Sequence, residues 1–471
     1  MSSSLSSSFP FHVKEHVVAG QHVREWARAT ATRQEDALRI HVKQYVPKEN
    51  PAPRPGDVTV LAAHANGFPK ELYEALWADL HALSRDPASG FRLRAVWIAD
   101  VANQGYSGEL NEAALGDDPS WHDHSRDLLH LVNVFRDDMP RPIVGIGHSF
   151  GANILAHLAL LHPRLLTTLV LLDPTIVALG SAQIDGPGTS PARASAFRRD
   201  VWPSRDAAVA SFRRSPFYQS WDPRVLDSWN RHALRDLPTA LYPELPPSGS
   251  GSSSGSDPTS SDPSKPAPPG ATLRTTKHQE LFTFLRPLYP HLTPSPSASP
   301  SAASSAAVSV SRDGAPDFDP AMLPVHLNGA VPFPFYRSEG AKVLRALPDL
   351  RPSALFVHGG ASDVSAPDVR AHRLATCGTG VGGSGAAAAG RVAEVLLEGR
   401  GHLFPMESPA ETARHAARWI GAEMARWRAE QDAYDAWTRL PLRDKTTLSR
   451  DFVDKLGRPR GQNKKDQKPK L

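Results

Sequence analysis

A serine hydroxyl attacks a carbonyl only where the chain thrusts it out of the backbone and a base lies within reach. Gly147-His148-Ser149-Phe150-Gly151 has the form of such a site. It follows a short apolar stretch at 142–146 and opens a helical pattern over 150–161. A sharp strand-to-helix turn would force Ser149 to positive φ. Strand and helix approach closely there, so the residues two before and two after must be glycine-sized, and both are glycine. A Gly-x-Ser-x-Gly run can arise by chance in a chain rich in Gly and Ser. The flanking strand and helix favour a nucleophile.

The base expected for this serine is His402, in Gly401-His402-Leu403-Phe404, just after the last apolar strand pattern and before a helix introduced by Ser408-Pro409. An ordinary loop histidine is the plainer alternative, but the chain order nucleophile, acid, histidine favours the base. Two acids fit that order. Asp363, in Gly359-Gly360-Ala361-Ser362-Asp363, follows the penultimate strand and is preferred. Asp173 ends the strand after the nucleophile helix and could serve from a neighbouring position. Either could instead be a turn residue, for which Asp is well suited. Acyl transfer also needs donors for an oxyanion: the backbone N–H of Phe150, and that of Phe68 in the glycine-containing loop 64–71. Pro69 has no N–H to offer.

Other candidates weigh less. His122 and His124 resemble a metal pair, but residues two apart point to different faces of a helix and no further ligands stand near them. No metal or cofactor is expected. Trp202, Phe217, Tyr218, Trp221 and Trp229 could line a pocket or simply form a core of their own. Thr276 and Gln279 have the spacing of a capping box, which makes His278 structural.

These residues need a scaffold. Segments 12–18 and 38–46 alternate like an antiparallel strand pair. Strands are expected at 58–64, 93–99, 142–146 and 166–172, with helices at 69–84, 121–135 and 150–161 between them. The alternation stops near 174 and resumes with strands at 352–358 and 391–397 and helices at 367–376 and 409–427. Strands alternating with helices imply a mostly parallel three-layer sheet. The interruption carries helical pieces at 205–212, 223–237 and 278–285. The expected organisation is a disordered start at 1–11, a core in two parts (12–173 and 351–440), an insertion at 174–350 and a basic tail at 441–471. Tracts 246–270 and 293–312, built of Ser, Pro, Gly and Ala, cannot bury enough surface to offset ordering entropy. A third tract, 378–390, lengthens a connection.

The 471 residues are 40% hydrophobic, enough for a sizeable core, and contain 44 prolines and one cysteine. Cys377 has no internal partner, which favours a reducing compartment. No apolar run is long enough for a membrane span, and the Ser-rich start lacks the pattern of a secretory signal. The net charge of +4 comes from a tail containing Arg458, Arg460, Lys464, Lys465, Lys468 and Lys470. No aromatic-rich basic motif accompanies it, so a nucleic-acid partner is not expected.

The Ser149 pentapeptide, segment 64–71 and Gly401-His402 together resemble fungal α/β-hydrolases of the toxin-biosynthesis type, relatives of a yeast peroxisomal lipase. Segments 215–223 and 275–280 look similar as well. The resemblance implies an α/β-hydrolase fold: an eight-stranded, mostly parallel sheet with helices on both faces and a helical cap between strands six and seven. It implies a serine hydrolase acting on a carboxylic ester or thioester through an acyl-enzyme on Ser149. The alternatives are a serine-dependent carbon–carbon bond hydrolase and a binding protein that retains the fold. Such relatives often end in a peroxisomal address. Pro469-Lys470-Leu471 fits at its last two positions, which implies an import receptor as partner and a peroxisomal or else cytoplasmic location.

Overall fold

Residues 9–178, 191–243, 269–287 and 335–457 are described by a computed structural model. The central sheet has eight strands: β1 (Phe11–Ala19), β2 (Arg39–Pro47), β3 (Val58–Ala63), β4 (Leu93–Ala99), β5 (Ile143–His148), β6 (Thr168–Leu172), β7 (Ser353–Gly359) and β8 (Val392–Leu397). Their spatial order is β1-β2-β4-β3-β5-β6-β7-β8. β1 pairs antiparallel with β2, and β2 with β4; every other neighbouring pair is parallel. β3 and β5 read as unbroken apolar runs because helices cover both faces of the sheet, and all of their residues are buried.

The chain forms two compact units, Met1–Glu423 and Met424–Leu471. In the first, Leu61, Trp97, Ile143, Leu155, Leu169 and Phe356 belong to one buried cluster around the sheet. The second holds the end of the helix Pro409–Thr438 and two short helices, Leu442–Thr446 and Arg450–Leu456, the last capped by Ser449. Among the described residues no helix is long and apolar enough to cross a membrane.

The insertion lies between the sixth and seventh strands, as expected. It carries the helices Pro191–Phe197, Arg205–Arg214, Pro223–His232 and Lys277–Phe284, the last capped by the Thr276 hydroxyl. It is not purely helical. Val201–Trp202, Ala271–Leu273 and Leu234–Asp236 form a small antiparallel sheet. The helix expected to run to 237 therefore stops at His232, where the chain turns into one of these strands.

Ordered structure also begins earlier than the expected boundary at 11. Phe11 is buried in β1, and its ring meets Tyr45 edge-on. Tract 378–390 is likewise organised: the N–H of Gly378 bonds the Leu347 carbonyl, that of Ser384 bonds Leu350, and Ala387–Ala389 form a 3-10 turn. Most of the tract 246–270, all of 293–312 and the terminal Pro469-Lys470-Leu471 lie outside the described residues.

A fully buried charge cluster stands behind the loop that follows β3. The Lys70 ammonium lies 2.6 Å from Asp100 and 3.0 Å from Glu71, and Lys43 is 3.1 Å from Glu71. Burial works against the charged form of Glu71, but the two ammonium groups outweigh it and hold the carboxyl well below its usual range.

Candidate active site

The elbow has the geometry that its glycines foretell. β5 ends at His148, the helix Phe150–Leu161 begins one residue later, and Ser149 between them has φ 59°. A Cβ on Gly147 would stand 2.6 Å from the Gly151 carbonyl oxygen. One on Gly151 would stand 2.4 Å from the Ala63 oxygen and 2.6 Å from that of His64. The Ser149 N–H bonds the carbonyl of Leu172 at the end of β6. Ser149 itself is 7% exposed.

His402 reaches this corner from the loop after β8. Its Nε2 lies 2.8 Å from Ser149 Oγ, and its Nδ1 lies 2.6 Å from Asp173 Oδ2. A carboxylate can only accept, so Nδ1 carries the proton and Nε2 is left to accept from the serine hydroxyl.

The carboxylate against His402 is thus Asp173, where Asp363 was preferred. Asp363 is exposed in a 3-10 turn after β7. Asp173 sits directly at the end of β6, next to the strand that delivers Ser149, and has φ 41°. The segment around Asp363 still contributes. Ser362 donates a short hydrogen bond to one Asp173 oxygen; Ser365, at 2.5 Å, and the Gly359 N–H, at 3.3 Å, donate to the other. Burial alone would raise the Asp173 pKa. The hydrogen bonds it accepts from His402, Ser362, Ser365 and the Gly359 N–H outweigh burial and hold it well below the usual carboxylate range. Asp173 is fully buried and stays ionised.

The two expected oxyanion donors differ. Phe150 opens its helix, where a backbone N–H has no intrahelical carbonyl to bond. The Phe68 N–H closes a turn on the Ala65 carbonyl at 3.2 Å. The neighbouring Gly67 N–H donates to the Gln104 side chain at 2.7 Å.

The insertion touches both loops of the site. The Phe68 ring meets Trp221 and Trp229 edge-on, Asn66 bonds the Glu280 carbonyl, and the Asp222 N–H bonds the Met406 carbonyl. Trp202, Trp221 and Trp229 are buried and form a core within the insertion, whereas Phe217 is half exposed. The two ends of the insertion are held at one point. The Asn153 amide, on the nucleophile helix, bonds the carbonyls of Thr175 at 3.3 Å and Glu339 at 3.2 Å.

His122 stacks on His157 at 3.6 Å, and among the described residues no cluster of side chains has the make-up of a metal site. A cavity of about 580 Å³ lies elsewhere, lined by Arg28, Arg235, Arg274 and Gln279 among others; Ser149, Asp173 and His402 are not part of its lining.

A family model described as the alpha/beta hydrolase fold matches residues 66–243. The chain is 42% identical over 426 residues to a type I acyl-CoA thioesterase of Penicillium brevicompactum, covering 90% of each chain. It is 28% identical over 301 residues to an abhydrolase domain-containing protein of Alternaria alternata, covering 64% of this chain and 87% of that one. The fold is similar to that of a peroxisomal alpha-beta-hydrolase of Saccharomyces cerevisiae, with a TM-score of 0.59 at 14% identity, covering 93% of this chain and 99% of that one.

Proposed function

The chain belongs to the α/β-hydrolase fold family and is a hydrolase of ester or thioester bonds, and on that premise we propose that it cleaves acyl-CoA thioesters through an acyl-enzyme on Ser149. The observation that carries the mechanism is the continuous chain Ser149 Oγ, His402 Nε2, His402 Nδ1, Asp173, at 2.8 and 2.6 Å. The acyl-CoA substrate class rests on the Penicillium relative, which the chain matches over nearly its whole length.

His402 takes the serine proton as Oγ attacks the thioester carbonyl. Asp173 stays ionised, holds the imidazole in its reactive tautomer and stabilises the imidazolium that forms. The developing oxyanion turns to the Phe150 N–H. Phe68 is the second donor, and to act it shares or gives up its 3.2 Å bond to Ala65. Collapse expels the thiolate, which leaves with the proton from His402. Water, deprotonated by the same imidazole, then releases the acid and restores Ser149.

A panel of acyl-CoAs and p-nitrophenyl esters of graded length, run on wild type and Ser149→Ala, tests this. Turnover of acyl-CoAs with release of free thiol is expected from wild type alone. An active-site fluorophosphonate probe should label wild type and not the variant. Turnover retained in Ser149→Ala refutes the acyl-enzyme; ester turnover without any thioester turnover refutes the substrate class.

A further inference from the structure

The mechanism above leaves one imidazole beside the nucleophile without a task. His148, the residue before Ser149, is fully buried at the end of β5. Its Nε2 lies 2.9 Å from the main-chain carbonyl of His402, and its Nδ1 lies 2.9 Å from the Tyr73 hydroxyl. That hydroxyl, also buried, receives the N–H of Ala65 at 2.8 Å.

The direction of every bond in this chain is fixed from its ends. A backbone N–H only donates and a carbonyl only accepts. Ala65 therefore donates to the Tyr73 oxygen, the Tyr73 proton goes to His148 Nδ1, and Nε2–H goes to the His402 carbonyl. His148 must be neutral and in a single tautomer. A second proton would turn Nδ1 into a donor and leave the Tyr73 proton without an acceptor among the described residues. Burial, with the nearby charge of His402, pushes its pKa down to about 3, which agrees with that arrangement.

The two ends of the chain are the loops that matter. One carries the base. The other, through Ala65, is the root of the turn whose N–H group belongs to Phe68. We infer that His148 is a positioning residue which, through Tyr73, locks the His402 loop and the 64–68 loop into one register around Ser149. The inference rests on the Ser149 mechanism proposed above. It gives the second residue of the elbow pentapeptide a role that bulk alone would not require: an acceptor at one end and a donor at the other. A misplaced reacting group of about 1 Å costs on the order of a hundredfold in rate.

The test compares kcat and KM for a p-nitrophenyl ester, with thermal melts, in wild type, His148→Leu, His148→Gln, Tyr73→Phe and Ser149→Ala. His148→Leu should lower kcat roughly 10- to 100-fold with KM within about threefold. His148→Gln keeps an acceptor and a donor on one planar group and should recover kcat to within about fivefold of wild type. Tyr73→Phe should lose about tenfold in kcat. The inference is overturned if His148→Leu and Tyr73→Phe both stay within about twofold of wild type. It is also overturned if Gln rescues no better than Leu at equal melting temperature. If His148→Leu does not fold, Tyr73→Phe decides alone by the same threshold. Near-wild-type kcat in both His148→Leu and Tyr73→Phe beside an inactive Ser149→Ala overturns this inference only. Activity in Ser149→Ala overturns the mechanism beneath it.

Discussion

Asp173 and His402 meet at 2.6 Å across 229 positions of sequence, with the carboxylate fully buried and the imidazole partly open to solvent. That asymmetry separates their tasks. In the mechanism proposed above, the buried partner holds a fixed charge and the exposed one moves protons between serine, substrate and water.

Replacing Asp173 by Asn should lower kcat by about 10³- to 10⁴-fold, because an amide can present its N–H to Nδ1 and select the wrong tautomer. Asp363→Asn, an exposed turn residue, should leave kcat within about twofold of wild type. Steady-state kinetics on the two variants side by side check this. The reverse ranking would reinstate Asp363 as the acid.

Why the sequence favoured the wrong carboxylate has a physical reason. Both acids lie between nucleophile and histidine in chain order and both follow an apolar strand, so order and pattern cannot separate them. What separates them is which strand end lies beside the elbow, and the positive φ at Asp173 that turns its carboxylate inward. Neither is visible in one dimension. The elbow was legible because apolar strand, Gly-x-Ser-x-Gly and helix follow one another directly in the chain, although the backbone that excludes a side chain at Gly151 belongs to the distant Ala63 and His64. The parallel strands and the site of the insertion were legible because buried parallel strands are continuous apolar runs, and the antiparallel β1 and β2 showed as alternation. The small sheet of 201–202, 234–236 and 271–273 was not, because strands of two or three residues leave no period to read.

Gly151→Ala should cost about 3 kcal/mol or prevent folding. Its methyl would press on the carbonyl oxygens of Ala63 and His64, which are backbone and cannot swing aside. Urea denaturation read by tryptophan fluorescence measures this. A loss below about 1 kcal/mol would mean that the strand and helix are less tightly apposed.

Lys70→Met should destabilise the fold by about 3 to 5 kcal/mol, because it leaves Asp100 buried without its cation. Denaturant midpoints at equal m-value give the number. The double change Lys70→Met with Asp100→Leu should recover part of the loss, and no recovery would argue against charge as the cause.

Stability should fall as the pH drops below about 6.5. Burial holds His64 neutral, with a pKa of about 4, so the folded chain refuses a proton that the unfolded chain accepts near its ordinary value. The stabilisation is complete above the unfolded pKa and is lost as pH descends towards the folded one, up to about 3 kcal/mol for this group. Asp173, with its pKa also lowered, extends the loss into more acidic solution. Chemical denaturation from pH 7.5 to 4 should give a shallower curve for His64→Gln than for wild type. Parallel curves would show that His64 takes no part.

The Asn153 amide holds both the departing and the returning strand of the insertion, a few residues from the nucleophile on the same helix. A segment tied at its neck behaves as a closed ring: residues can be added to or removed from its far side without shifting the knot. Closing a longer ring costs only a logarithm of its length. A chain built this way can remodel the insertion while Ser149, His402 and Asp173 keep their places.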